Sequence, residues 1–124
     1  MINKKRIKPN EVHSMELVGD VSGKNVIIVD DMADTLGTMK KAADLLIEKG
    51  ALSVIGVATH GVLSGSAHTN LENSKMSKFL VSDSINKYGI TDFSKLEYVS
   101  CAKLIAKSIS AISQKKSINE INLV

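Results

Sequence analysis

Two adjacent carboxylates, Asp30 and Asp31, are followed closely by Asp34, Thr35, Gly37 and Thr38. Paired acids suit the hydroxyls of a sugar or a hard cation such as Mg²⁺. Hydroxyls and a glycine at the mouth of a helix suit a phosphate. The first backbone N–H groups of a helix have no partner within it, and they lie at the positive end of its dipole. A phosphorylated sugar needs both kinds of group side by side. Each residue alone fits a solvated turn or a helix cap just as well; the ordered set points to sugar-phosphate chemistry.

Positioning these residues requires a strand before them and a helix after them. Val26, Ile27, Ile28 and Val29 form a mostly β-branched run, which predicts a strand buried on both faces. The acids then stand where that strand leaves the sheet, and in open parallel sheets ligands bind at the carboxyl ends of strands. Met39, Ala42, Ala43, Leu46 and Ile47 trace one face of a helix, and Gly50 is placed to end it. A strand over residues 54–58 completes a βαβ unit with a right-handed crossover. It runs into Thr59, His60 and Gly61, which form a candidate edge of the same site. His60 by itself reads more simply as a hydrogen-bonded structural histidine. His68 reads as surface, and His13 carries no role.

The remaining pattern is coarser. It predicts a short strand over 15–18, a helix over 66–74, strands over 79–81 and 97–99, a loop over 82–95 and an amphipathic helix over 101–113. Cys101 opens that last helix and reads as packing rather than chemistry. The tail 114–124 carries spaced Ile118, Ile121 and Leu123, suited to docking on a neighbour. Alternating strands and helices give an α/β class, a three-layer parallel sheet with flanking helices.

Residues 1–16 are polar and basic, with Lys4, Lys5, Arg6 and Lys8 ahead of Pro9. They predict a loop or extended arm, distinct from a domain over 17–124. Such an arm is either simply solvated or closes over polyphosphate, where cationic side chains steady developing charge.

A chain of 124 residues is one domain. With two Phe, two Tyr and no Trp it lacks the aromatic platform of a single-stranded nucleic-acid binder. The net charge of +3 is modest and local. The single cysteine excludes an internal disulfide and fits a reducing compartment. No apolar run reaches the length of a membrane span, and the first ten residues are too polar for a signal peptide. These features lead us to expect a cytoplasmic protein that engages neither membrane nor nucleic acid.

Val29-Asp30-Asp31-Met32-Ala33-Asp34-Thr35-Leu36-Gly37-Thr38 resembles the phosphoribosyl-binding motif of the type I phosphoribosyltransferase fold. Its flanks narrow the likeness to ribose-phosphate pyrophosphokinases. Asn3-Lys4-Lys5-Arg6-Ile7-Lys8-Pro9-Asn10 is similar to that family's catalytic flexible loop, and Gly19-Asp20-Val21 with Gly23-Lys24 to its turn before the acidic strand. Thr59-His60-Gly61-Val62-Leu63-Ser64-Gly65 and Glu72-Asn73-Ser74 match two later motifs, in the family's order.

The resemblance implies a phosphoribosyltransferase-like fold. It places Asp30 and Asp31 on the ribose hydroxyls, and Asp34, Thr35, Gly37 and Thr38 on the 5-phosphate of ribose 5-phosphate. Lys4 and Arg6 would be catalytic, steadying the phosphates of ATP. The implied reaction transfers pyrophosphate from ATP to the sugar with Mg²⁺ as cofactor, although no residue stands out as a certain metal ligand. The chain would correspond to the carboxyl-terminal half of such an enzyme, its ATP site completed by a missing half or a partner in a homo- or hetero-oligomer. Lys5 and Ile7 depart from the usual arginine and proline of the loop, and residues 82–85 and 117–120 depart from the family pattern. Two other functions compete: a non-catalytic subunit associated with pyrophosphokinases, and a phosphoribosyltransferase.

Overall fold

Strands and helices alternate through the middle of the chain, over residues 25–82. A computed structural model describes residues 2–8, 11–86 and 93–120, with side chains described from Leu17 to Asn119 within them. The order is β1 (Ile2–Lys8), β2 (Glu11–Leu17), β3 (Asn25–Ala33), α1 (Gly37–Glu48), β4 (Ser53–Gly61), α2 (Ala67–Glu72), β5 (Lys78–Ser82), β6 (Leu96–Val99) and α3 (Ala102–Ser113). A 3-10 turn follows at Ile118–Glu120.

β3, β4, β5 and β6 form one parallel sheet in that spatial order. Register runs Val26 to Val54, Asp30 to Ala58 and Met32 to His60 across the first pair. Consecutive parallel strands joined by crossovers of one hand carry their connections on one face. Burial agrees. Val54, Ala58, Phe79 and Val81 pack with Met39, Ala43 and Leu46 of α1 and with Ala67 and Leu71 of α2. α1 ends as Gly50 takes the left-handed conformation at φ +92°. Its N–H donates to the Ile47 carbonyl and that of Ala51 to the Leu46 carbonyl, each at 3.0 Å, a Schellman closure.

Two expectations change. The run 26–29 is covered on one face rather than both: Val26 and Ile28 are half-buried, while Ile27 and Val29 are exposed. The cause is topological, since β3 is the edge strand and the packed helices sit on one side of the sheet. The second change concerns residues 1–16. Of the loop or extended arm expected, the described part is extended: an antiparallel hairpin pairs Ile2 with Leu17 and Lys4 with Met15, and the strand expected over 15–18 begins earlier, at Glu11. A basic run reads as solvated, yet a two-stranded ribbon is held by backbone pairing and tolerates polar side chains. Met1, Pro9, Asn10 and residues 87–92 lie outside the described residues.

α3 is amphipathic, as its spacing predicts. None of its residues is buried, and Leu104, Ile105, Ile109 and Ile112 all face solvent.

Candidate sugar-phosphate site

β3 is longer than its apolar run, because parallel pairing with β4 continues through Met32–His60 to Ala33–Gly61. Asp30 and Asp31 therefore lie within the strand rather than beyond it, and alternation turns them to opposite faces. Asp30 is half-buried on the face covered by α1, whereas Asp31 is exposed. The Asp31 N–H donates to Asp30 Oδ1 at 3.0 Å, which orients the half-buried member of the pair.

Asp30, Asp34, Thr35, Gly37 and Thr38 converge on a cleft of about 280 Å³, lined also by Met32 and Met39. That size is near the lower end of ligand pockets, roughly 300 Å³, and suits a small polar metabolite. Asp31 is absent from its lining. A more apolar cleft of about 370 Å³ follows the outer edge of β3 and shares Asp30, Thr38 and Met39 with the first. The smaller one holds the polar groups.

The helix mouth opens into this cleft. Leu36 precedes α1 in the left-handed conformation (φ 61°, ψ 4°), and no side chain among the described residues caps the helix. Lys40 N–H is bonded to the Leu36 carbonyl at 2.9 Å, so the amides of Gly37, Thr38 and Met39 precede it as the orphan donors of the first turn. No acidic residue occupies that turn. An anion seated there would meet three amides and the positive end of the dipole. At Gly37 an added Cβ would meet only ordinary contacts, Asn70 Nδ2 at 3.7 Å and Thr35 Oγ1 at 3.8 Å. The protein's own packing does not demand glycine here; its absent side chain leaves the backbone open to the cleft.

A model of the phosphoribosyl synthetase-associated domain matches residues 2–122. The chain belongs to that family. It is 44% identical over 121 residues to the ribose-phosphate pyrophosphokinase of Aquifex aeolicus, covering 98% of this chain and 39% of the relative. Ribose-phosphate pyrophosphokinase 3 of Saccharomyces cerevisiae is 44% identical over 120 residues, covering 96% and 38%. The crystal structure of phosphoribosylpyrophosphate synthetase from Mycobacterium smegmatis superposes with a TM-score of 0.78 at 39% identity, covering 85% of this chain and 35% of that one. The chain thus spans about two-fifths of the length of these relatives.

In this family member Thr59, His60 and Gly61 end β4, one strand away from the cleft and outside its lining. The Thr59 carbonyl accepts the Ser82 hydroxyl at 2.7 Å and the Ser84 hydroxyl at 3.1 Å. His60 Nδ1 lies 2.8 Å from Ser84 Oγ, which ties the imidazole to the segment after β5. Gly61 is needed for packing, since an added Cβ would come within 2.7 Å of Val81 Cγ2. Lys4 and Arg6 lie on β1 in register with Met15 and Val12, and their side chains fall outside the described part. Among the described residues no three acids, histidines or cysteines gather to hold a metal.

Two residues that the sequence left without a role reach the site. Ser64 donates its hydroxyl to Asp34 Oδ1. Asn70 Nδ2, on α2, donates to the Thr35 carbonyl at 2.8 Å and reaches Ser66 Oγ at 3.1 Å. Ser64 stood in the stretch 59–65, which resembles a family motif, but it was given no role of its own. Asn70 gave no signal, because only the fold brings α2 to the loop after β3.

Proposed function

We propose that this chain supplies the ribose-5-phosphate site of a ribose-phosphate pyrophosphokinase and corresponds to the carboxyl-terminal part of that enzyme. One observation carries this: an uncapped helix N-terminus and the half-buried Asp30 share one small cleft at the carboxyl edge of a parallel sheet. In this reading the 5-phosphate sits on the amides and hydroxyls of the loop 34–38, with Asp30 on the ribose hydroxyls. Asp31, on the opposite face, does so less directly. The fold is that of type I phosphoribosyltransferases.

The sugar's 1-hydroxyl attacks the β-phosphorus of ATP, and AMP leaves. Such transfer depends on positioning and charge stabilisation, which suits a site without a covalent nucleophile. Lys4 and Arg6, on the β1–β2 hairpin, steady the phosphates. Mg²⁺ in phosphoryl sites takes one or two carboxylates and fills its shell with phosphate oxygens and water, a demand that Asp30 fits. When bound it neutralises phosphate charge. The adenine side of the site comes from polypeptide beyond this chain, within an oligomer in the cytoplasm.

Calorimetric titration tests the site. Ribose 5-phosphate binds, and Asp30→Asn weakens it about tenfold, the worth of one charge-assisted hydrogen bond, while inorganic phosphate binding is unchanged. Absence of saturable binding, or equal affinity in Asp30→Asn, overturns the assignment. A second reading is a non-catalytic subunit associated with pyrophosphokinases. AMP release separates the two once the chain is combined with the remainder of a relative. Turnover lost in Lys4→Ala, with ribose 5-phosphate binding retained, supports catalysis. Turnover equal in mutant and parent favours the subunit.

A further inference from the structure

The end of β3 and the loop that leads into α1 are held from outside at three consecutive residues. The Ala33 carbonyl accepts the N–H groups of Val62 at 2.9 Å and Leu63 at 3.1 Å. The Asp34 carboxylate accepts the Ser64 hydroxyl. The Thr35 carbonyl accepts the Asn70 amide at 2.8 Å, and Ser66 Oγ is within reach of the same amide nitrogen at 3.1 Å. Immediately afterwards Leu36 adopts φ 61°, a left-handed conformation that a side chain with a Cβ resists. A strained residue persists only where its surroundings over-determine it. Here the burial of Leu36 and the bonds to 62–70 do so.

The chemistry of Asp34 bears on its role. A carboxylate turned toward a phosphate dianion repels it, whereas a carboxylate turned toward a hydroxyl from the next loop fixes the backbone on which the anion rests. We infer that Ser64 and Asn70 are positioning residues for anion binding, and that Asp34 serves the site through its bond to Ser64 rather than by touching the phosphate. The inference rests on the ribose-5-phosphate reading above and deepens it. Ser64 fixes Asp34, and Asn70 fixes Thr35. Together they present the amides of Gly37, Thr38 and Met39 in one direction before ligand arrives, so the ordering cost is not drawn from binding.

The test is calorimetric titration of the 124-residue chain with ribose 5-phosphate and with inorganic phosphate, alongside the thermal unfolding midpoint of each variant. Ser64→Ala and Asn70→Ala each weaken both ligands about three- to tenfold, the net worth of one hydrogen bond. Asp34→Ala weakens them equally, and the Asp34→Ala, Ser64→Ala double variant goes no further, because the two residues act through one bond. Asp34→Asn keeps an acceptor oxygen for Ser64, and Ser64→Thr keeps the hydroxyl; both bind within about twofold of the parent. These conservative variants decide the matter if an alanine variant fails to fold. Asp34→Asn as weak as Asp34→Ala overturns the inference, since the charge itself would then be what the ligand uses. So do Ser64→Ala and Asn70→Ala binding like the parent, which leaves the ribose-5-phosphate site standing. A parent that binds neither ligand overturns the site reading itself.

Discussion

At Cys101 two opposing influences meet. A thiol at a helix N-terminus is ordinarily acidified by the helix dipole. Here the Asp83 carboxylate accepts from Cys101 Sγ at 2.9 Å and from Cys101 N–H at 2.7 Å, and the hydrogen bond to that anion holds the thiol above its usual range. The carboxylate wins over the dipole. Cys101 should therefore react slowly with iodoacetamide at neutral pH, and Asp83→Asn should accelerate it; equal rates would show that the carboxylate does not govern the thiol. The same contacts, with the Ser100 hydroxyl at 2.7 Å, hold the Asp83 carboxyl well below the usual 3.8. A depressed folded-state value contributes stability that is present above the unfolded value and is lost as pH falls through the folded one. Wild type should thus exceed Asp83→Asn in stability at pH 7, with the gap closing below about pH 4. A gap that widens in acid, followed by urea unfolding, would contradict this. The sequence showed Cys101 at a helix start but not Asp83 beneath it, because the two meet only when β5 and β6 pair.

Among the elements, β4 is tightly hemmed at its glycines. An added Cβ at Gly56 would come within 2.8 Å of Met76 Sδ and Phe79 Cδ2 and 2.9 Å of Met39 Sδ. Overpacking of this kind costs about 1–3 kcal/mol, so Gly56→Ala should lower the unfolding free energy by that much. An unchanged denaturant midpoint would mean that α1 shifts freely over the sheet. β3 was legible from its β-branched run, α1 from its 3.6-residue period and Gly50, and β4 as the strand expected over 54–58. The extension of β3 through Asp30 and Asp31 was not, since consecutive acids are poor strand formers and only pairing with β4 keeps them in register. That extension separates the two acids onto opposite faces, so that of the pair Asp30 enters the cleft and Asp31 does not.

For the molecule as a whole, the apolar surface left in water is large. Val29 is 75% exposed, Ile27 63%, Ile109 62% and Ile112 61%. Exposed apolar patches bind hydrophobic dyes and promote association. Val29→Lys with Ile109→Lys should lower fluorescence of an added hydrophobic dye and reduce sedimentation of aggregates, with little change in unfolding midpoint; a large fall in the midpoint would show that these side chains support the fold. No helix among the described residues is long and apolar enough to cross a membrane. By itself the sequence determined the α/β class, the order of its central elements and the candidate residues of the loop at the mouth of α1. Those signals are local, written in the spacing of apolar side chains and in the residues that turns and helix mouths demand. Tertiary structure decided which acid enters the cleft, which face of the sheet is covered, and that Ser64 and Asn70 hold the loop. Each depends on contacts between residues far apart in the chain, which strand pairing and helix packing create and local patterning does not encode.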